Sequence, residues 1–178
     1  PERHETYGVL RRRALDVLDA YRLRGAVVGT PVVLAADDAE SFFPTYWACL
    51  LGGLVPVPMS GPASADRAGE ALQKLKAALA RLGVNTPIVA PSTLAQFIRP
   101  VIGSHPVWTT DELLAHRATE EVLGVPCQPD DLAMVQFSSG STGQSKGITL
   151  THANLLHNTR AILAHQVGSA EDSFVSWL

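Results

Sequence analysis

Pro31-Val32-Val33-Leu34-Ala35-Ala36 is a continuous apolar run, followed by Asp37-Asp38, a stretch without glycine to Leu51, Gly52-Gly53, and a second run, Leu54-Val55-Pro56-Val57-Pro58. An apolar run without polar alternation is the pattern of a strand covered on both faces, so the first run predicts a buried strand. Asp37 and Asp38 offer an N-cap for a helix to about Leu51, in which Pro44 has to fall in the first turn or cause a kink. Gly52-Gly53 ends that helix. The two prolines of the second run predict a short strand at or near a sheet edge.

The same rhythm extends in both directions. Upstream, Tyr7, Leu10, Ala14, Val17, Leu18 and Tyr21 recur at helical spacing, predicting an amphipathic helix from Thr6 to Arg24 that Gly25 closes. Downstream, Leu72, Leu75, Leu79 and Leu82 mark a second long helix from Ser64 to Leu82, closed by Gly83. Ile88-Val89-Ala90 reads as a strand, Ser92 caps a helix through about Ile98, Val107-Trp108 is a minimal strand, and Asp111 to His116 a short helix. Val122 to Pro129 has the Gly/Pro texture of a connecting loop. Alternating elements of this length predict an α/β layered fold with a largely parallel sheet and crossover helices. No internal repeat accompanies the alternation.

Composition bounds the function classes. Of the 178 residues 46% are hydrophobic and 17% charged, which excludes disordered and coiled-coil classes and predicts a packed globular domain. A net charge of −3 removes the electrostatic footprint of a nucleic-acid binder. Arg11 to Arg13, the one basic cluster of note, reads as the wet face of a helix. Cys49 and Cys127 form neither a disulfide framework nor a CxxC pair, and both sit among apolar residues as expected of buried, inert thiols. No apolar run approaches the roughly 20 residues of a membrane helix, and no targeting segment is visible. The sequence starts at Pro1 without Met and stops at the apolar run Phe174-Val175-Ser176-Trp177-Leu178, so the expectation is a piece of a longer protein.

Leu132-Ala133-Met134-Val135-Gln136-Phe137 reads as a buried strand that runs directly into Ser138-Ser139-Gly140-Ser141-Thr142-Gly143-Gln144-Ser145-Lys146-Gly147. Positions 138 to 145 hold five hydroxyl residues and two glycines. Glycines let several backbone N–H groups converge on one anion, hydroxyls add donors, and an ammonium on a flexible stem adds a point charge, so the loop suits a polyphosphate. A Gly/Ser linker would have polar flanks, whereas this loop is followed by Ile148-Thr149-Leu150-Thr151, the alternation of a half-buried strand. A Walker-type loop needs Gly and Lys adjacent, then Ser or Thr and a helix; here two residues separate Gly143 from Lys146 and a strand pattern follows. The spacing predicts a hairpin-like phosphate loop.

That loop, followed by Thr151-His152-Ala153-Asn154-Leu155, resembles the signature phosphate-binding loop of the adenylate-forming superfamily: acyl-CoA synthetases, luciferases and the adenylation domains of nonribosomal peptide synthetases. Ser145 departs from the pattern, which usually has proline before the lysine; its loss loosens a preset dihedral without removing a phosphate donor. The resemblance runs along the whole chain, including Trp47-Ala48-Cys49-Leu50-Leu51-Gly52-Gly53. Gln136-Phe137, the Trp-Ala-Cys helix and the terminal Ser176-Trp177-Leu178 lean toward fatty acyl-AMP ligases and the loading domains of polyketide and peptide synthases.

The resemblance implies the first part of a large N-terminal adenylation domain over residues 1–178, divided into an α/β unit to about 125 and a phosphate-loop segment from 130. It implies a cytoplasmic enzyme that activates a carboxylic acid, fatty in that subfamily, with ATP and Mg²⁺ as acyl-adenylate. The acyl group then passes to the phosphopantetheine thiol of an acyl carrier protein or carrier domain. An acyl-CoA synthetase, an amino-acid adenylation domain, or a noncatalytic nucleotide- or partner-binding module of the same fold are the alternatives. The implied phosphate-binding residues are Ser138, Ser139, Gly140, Ser141, Thr142, Gly143, Lys146 and Gly147, with Lys146 paired to the β- and γ-phosphates and the glycines permitting backbone approach. None is expected to be a covalent nucleophile, because the sequence places no base beside them. The adenine grip, the metal-binding carboxylate and a catalytic lysine belong to downstream parts of the family, so the 178 residues alone are expected not to adenylate.

His152, His157 and His165 do not share the i, i+4 face of a helical metal pair, so no metal site is expected. His152 is expected in the first turn of a helix capped by Thr151 and extending to about Gln166, with Leu155 and Ile162 facing the core. His4, His105 and His116 carry no motif and are expected to be exposed.

Overall fold

The computed structural model describes residues 4–36, 38–61, 68–139 and 145–165. Four short strands, β1 (Pro31–Leu34), β2 (Val55–Pro58), β3 (Ile88–Ala90) and β4 (Val107–Thr109), form an all-parallel sheet in the order β2-β1-β3-β4. The proline-bearing β2 is an edge of that sheet, as its composition predicts. Helices α1 (Tyr7–Leu23), α2 (Ala39–Leu51), α3 (Ala68–Leu82), α4 (Ser92–Ile98) and α5 (Thr110–Ala115) cover it. An antiparallel pair, β5 (Leu132–Ser139) and β6 (Ser145–Thr151), and helix α6 (His152–His165) follow.

The pleat sends alternate side chains to opposite faces, and the core divides accordingly. Val32, Leu34 and Val89 pack with Val17, Leu18, Tyr21, Ala48, Cys49 and Leu113, residues of α1, α2 and α5. Val33, Val57, Ile88 and Ala90 point the other way, to Leu75 and Leu79 of α3, Ile98 of α4, and Val135 of β5. Every residue of the run Val32-Val33-Leu34 is fully buried, which is why the sequence there shows no polar alternation.

Local chemistry explains the helix bounds. Thr6 caps α1 through Val9 N–H, and Asp38 caps α2 through Ser41 N–H at 2.8 Å. Pro44 lies in the second turn of α2 rather than the first. Lacking an N–H, it cannot satisfy the carbonyl of Glu40, and the Arg13 guanidinium donates to that oxygen instead at 2.9 Å while pairing with Glu5. Arg13 therefore bridges α1 and α2, and only Arg11 and Arg12 of the basic cluster lie on a wet face. Ser92 is the first residue of α4 and not its cap; its hydroxyl bonds the Asp111 carboxylate. Thr109 caps α5, so that helix starts one residue earlier than its acidic pair suggests. Residues 62–67, where α3 was expected to begin, lie outside the described residues, as does Asp37.

Three further expectations are corrected by packing. Tyr7, placed in the apolar stripe of α1, is 91% exposed, because the face it would cover begins at Leu10. Cys49 is buried and burial pushes its thiol well above its usual range, against a hydrogen bond with Tyr21, but Cys127 is exposed on the connection after α5. His105 and His116 are not free surface residues: His105 Nδ1 lies 3.1 Å from Thr86 O, and His116 Nε2 lies 2.7 Å from Asp19 Oδ2. The latter contact starts a strap. Ala118 N–H donates to Asp16 Oδ1, Val122 packs on the core, and Val125 N–H donates to Leu51 O, so the chain crosses α1 and the end of α2 before entering β5.

Candidate functional site

The loop singled out in the sequence joins β5 to β6. Their register pairs Met134 with Leu150, Gln136 with Ile148, Phe137 with Gly147, Ser138 with Lys146 and Ser139 with Ser145. Cross-strand partners share a face, so Gln136, Ser138, Lys146 and Ile148 project outward and all are exposed. The opposite face carries Val135 and Phe137, which pack into the α3/α4 side of the core next to β2. A β-bulge between Leu132 and Met134 adjusts the alternation at the hairpin's base. A methyl at Gly147 would lie 3.4 Å from the Phe137 ring and from Val135 Cγ1, so this glycine lets the Phe137 ring lie across β6.

Ser138 and Lys146 thus face each other at the turn end, an ammonium and a hydroxyl on one outward surface. Among the described residues Lys146 makes no ion pair, leaving its three donors to solvent or a ligand. Gly140, Ser141, Thr142 and Gly143 lie outside the described residues, as does Gln144; the side chain of Ser139 does too, its backbone being placed by the pairing with Ser145. β6 itself is more exposed than the half-buried strand its alternation predicts, since Lys146 to Thr149 are all exposed.

The other end of the hairpin is closed to ligands by its own hydrogen bonds. Thr151 Oγ1 accepts from Asn154 N–H at 3.2 Å while Asn154 Oδ1 accepts from Thr151 N–H at 3.0 Å, a reciprocal cap. His152 and Ala153 donate to the carbonyls of Asp131 and Pro129. The leading amides of α6 are therefore occupied, and Lys146 lies five strand residues, or roughly 17 Å, toward the other end of the hairpin. Asp131 had no role in the sequence reading, which ended the connecting loop at Pro129, although Pro-Asp-Asp before a strand is a turn signal; Asp131 Oδ2 accepts from Gln128 N–H at 2.7 Å. Tyr46, whose hydroxyl meets Met134 Sδ at 3.7 Å and ties α2 to β5, had no sequence signal.

Among the described residues no group of three His, Cys, Asp or Glu side chains could hold a metal ion. His152 is half-buried in the first turn of α6, while His157 and His165 are exposed on it. No helix of the described residues is long and apolar enough to cross a membrane.

The AMP-binding enzyme family matches residues 1–178. A putative acyl-CoA synthetase of Caulobacter vibrioides is 29% identical over 174 residues, 97% of this chain and 30% of that protein. A medium-chain-fatty-acid–[acyl-carrier-protein] ligase of Teredinibacter turnerae is 42% identical over 59 residues, covering 33% of this chain and 9% of the ligase. The solved structure of McyG A-PCP complexed with phenylalanyl-adenylate superposes with a TM-score of 0.87 at 30% identity, over 97% of this chain and 32% of that one. The chain spans less than a third of the length of these relatives. Enzymes of this kind use ATP, generally with Mg²⁺. With a parallel α/β sheet, a hairpin carrying the Ser/Gly loop and a match along its whole length, the chain belongs to the AMP-binding enzyme family, the adenylate-forming ligases.

Proposed function

We propose that the β5–β6 hairpin holds the β- and γ-phosphates of ATP during activation of a carboxylic acid, a fatty acid by the affinities noted above. The observation that carries this reading is the register: Ser138 opposite Lys146, both outward and exposed, at the end of the strand pair next to residues 140–144. In the reaction, a carboxylate oxygen bonds to the α-phosphorus as the bond from that phosphorus to the bridging oxygen breaks, giving acyl-adenylate and pyrophosphate. A thiol then gives up its proton and attacks the acyl carbon, and AMP leaves. Lys146 stabilises the charge that builds on the departing pyrophosphate, and Ser138, Ser139, Ser141 and Thr142 supply donors from hydroxyl or backbone. Gly140 and Gly143 admit the phosphates to the backbone. Among the described residues no carboxylate set would hold Mg²⁺.

The fatty-acid ligase and the A-PCP structure support a carrier-bound thiol as acceptor. The acyl-CoA synthetase relative supports coenzyme A as a second reading. Competition between the two thiols for a preformed acyl-adenylate separates them.

Lys146→Ala tests the site. Removing a charge-assisted contact of about 1.5–3 kcal/mol should weaken ATP or pyrophosphate binding roughly 10- to 100-fold. Calorimetric affinity equal to wild type would remove Lys146 from the assignment. The 178 residues by themselves should bind polyphosphate without forming acyl-hydroxamate; detectable hydroxamate would overturn the division of labour proposed here.

A further inference from the structure

The hairpin has two faces, and its register divides residues 137, 138, 146 and 147 between them. Ser138 and Lys146 lie on the outward face, whereas Phe137 and Gly147 are the next cross-strand pair and face the other way, with Val135. A Cβ at Gly147 would stand 3.4 Å from Phe137 Cε1, from Phe137 Cζ and from Val135 Cγ1. All three contacts fall inside the optimum of about 3.5–4.0 Å between carbons. The φ of Gly147 lies outside the left-handed region, so its backbone would accept any residue and the restriction is steric. The space that this glycine leaves is filled by the Phe137 ring, on the side away from Lys146.

Ladder hydrogen bonds fix strand pairing, but a two-stranded ribbon by itself is marginal and twists readily. Residues 146–149 of β6 are exposed. Helix α6 gives them no buried support: Leu155 is half-buried and Ile162 47% exposed, instead of facing a core as their spacing predicts, and no residue of α6 is buried. Phe137, by contrast, packs with Val135 against the core cluster that holds Val57 of β2 and Leu75 and Leu79 of α3. Its ring therefore reaches from that core to the backbone of β6, one residue from Lys146.

We propose that Phe137 is a positioning residue for Lys146: its ring, anchored on the α3 side of the core, lies against the bare backbone of Gly147 and sets the height and twist of β6 where the ammonium leaves it. Gly147 is then a packing glycine, while phosphate approach falls to Gly140 and Gly143. What Lys146 binds is taken from the phosphate reading above; the contact of ring and glycine stands on geometry alone.

The test uses variants of the full chain, read by amide exchange and by calorimetry with pyrophosphate. Gly147→Val introduces a residue that strands favour, so a loss reports the collision with the ring. It should accelerate exchange of amides 146–149 about tenfold and weaken pyrophosphate binding roughly three- to tenfold, part of the effect of deleting the lysine. Adding Phe137→Leu should recover at least about threefold of each loss, a non-additivity expected only of residues in contact. Phe137→Tyr keeps the ring and should stay within about twofold of wild type. In a Lys146→Ala background Gly147→Val should change affinity by less than about twofold, because an effect routed through the ammonium disappears with it. Unchanged exchange in Gly147→Val, additive effects of the Phe137 and Gly147 substitutions, or an equal affinity loss with and without the lysine would overturn the proposal. Pyrophosphate affinity insensitive to Lys146→Ala would sink the phosphate reading instead, and exchange in the same variants would still decide whether the Phe137 ring positions β6.

Discussion

The sheet unit and the hairpin with α6 use the same local devices to opposite ends. Both have a capped helix following a strand: Asp38 caps α2, and Thr151 caps α6. After α2, however, the sheet is sealed on two faces, with Val32, Val33, Leu34, Ile88, Val89 and Ala90 fully buried. Among the described residues of the second region only Ala133 and Val135 are buried, and none of α6 is. Hydrogen bonding specifies where an element begins in either region, but stability follows apolar burial. Ser138 and Lys146 thus sit on the part of the molecule with the smaller buried core among the described residues.

The largest expected effect would break the comparison at its firm end. Leu34→Ala removes a fully buried side chain between α1 and α2 and should destabilise the protein by about 2–5 kcal/mol, measured by urea denaturation. The matching truncation Leu163→Ala in α6 should change global stability by less than about 0.5 kcal/mol; a loss comparable to Leu34→Ala would show that α6 is part of the same cooperative core. Next, Arg13→Met deletes the donor to the Glu40 carbonyl, which Pro44 has no N–H to bond, along with the Glu5 pair. The expected loss is about 1–2 kcal/mol, and restoring an N–H with Pro44→Ala in the Arg13→Met background should recover part of it.

Caps give a smaller and more discriminating comparison. Asp38→Ala should lower global stability by about 1 kcal/mol, whereas Thr151→Ala should accelerate amide exchange in α6 and leave the urea midpoint unchanged. Asp38 also carries a pH signature. Burial disfavours its charge, but hydrogen bonds from the Ser41 hydroxyl and from nearby amides outweigh that and hold its carboxyl below the usual range. The stabilisation is therefore present above the unfolded value near pH 4 and fades as pH falls through the lower folded value. Asp38→Asn should flatten that part of the acid limb; an unchanged limb would show that the Ser41 bonds do not favour the ionised form.

Much of the sheet unit was legible because its signals are local. Val32-Val33-Leu34 had no polar alternation, two prolines marked the edge strand β2, and Gly25 and Gly83 followed the last turns of α1 and α3, with φ of +88° and +101°. The failures came where a side chain answers to a distant partner. Ser92 looked like a cap but bonds Asp111, and Pro44 was tolerated in the second turn because Arg13, 27 residues before Glu40, supplies the missing donor. His116 looked unattached, yet Asp19, 97 residues away in sequence, holds it. Leu155 and Ile162 were expected in a core because periodicity reports which face of a helix is apolar and says nothing of what lies against it.

By itself the sequence determined the element order, the two-sided burial of the central strand and the concentration of hydroxyls, glycines and one lysine in residues 138–147 on which the phosphate proposal rests. Each of these depends on dihedral preference, side-chain period or donor type, which neighbouring residues carry. Only the tertiary structure decided that Ser138 and Lys146 meet across a hairpin, that the strap from His116 to Val125 joins the two regions, and that α6 keeps its apolar face open. Those are matters of register and of long-range contact, set by which surfaces meet once the chain has folded.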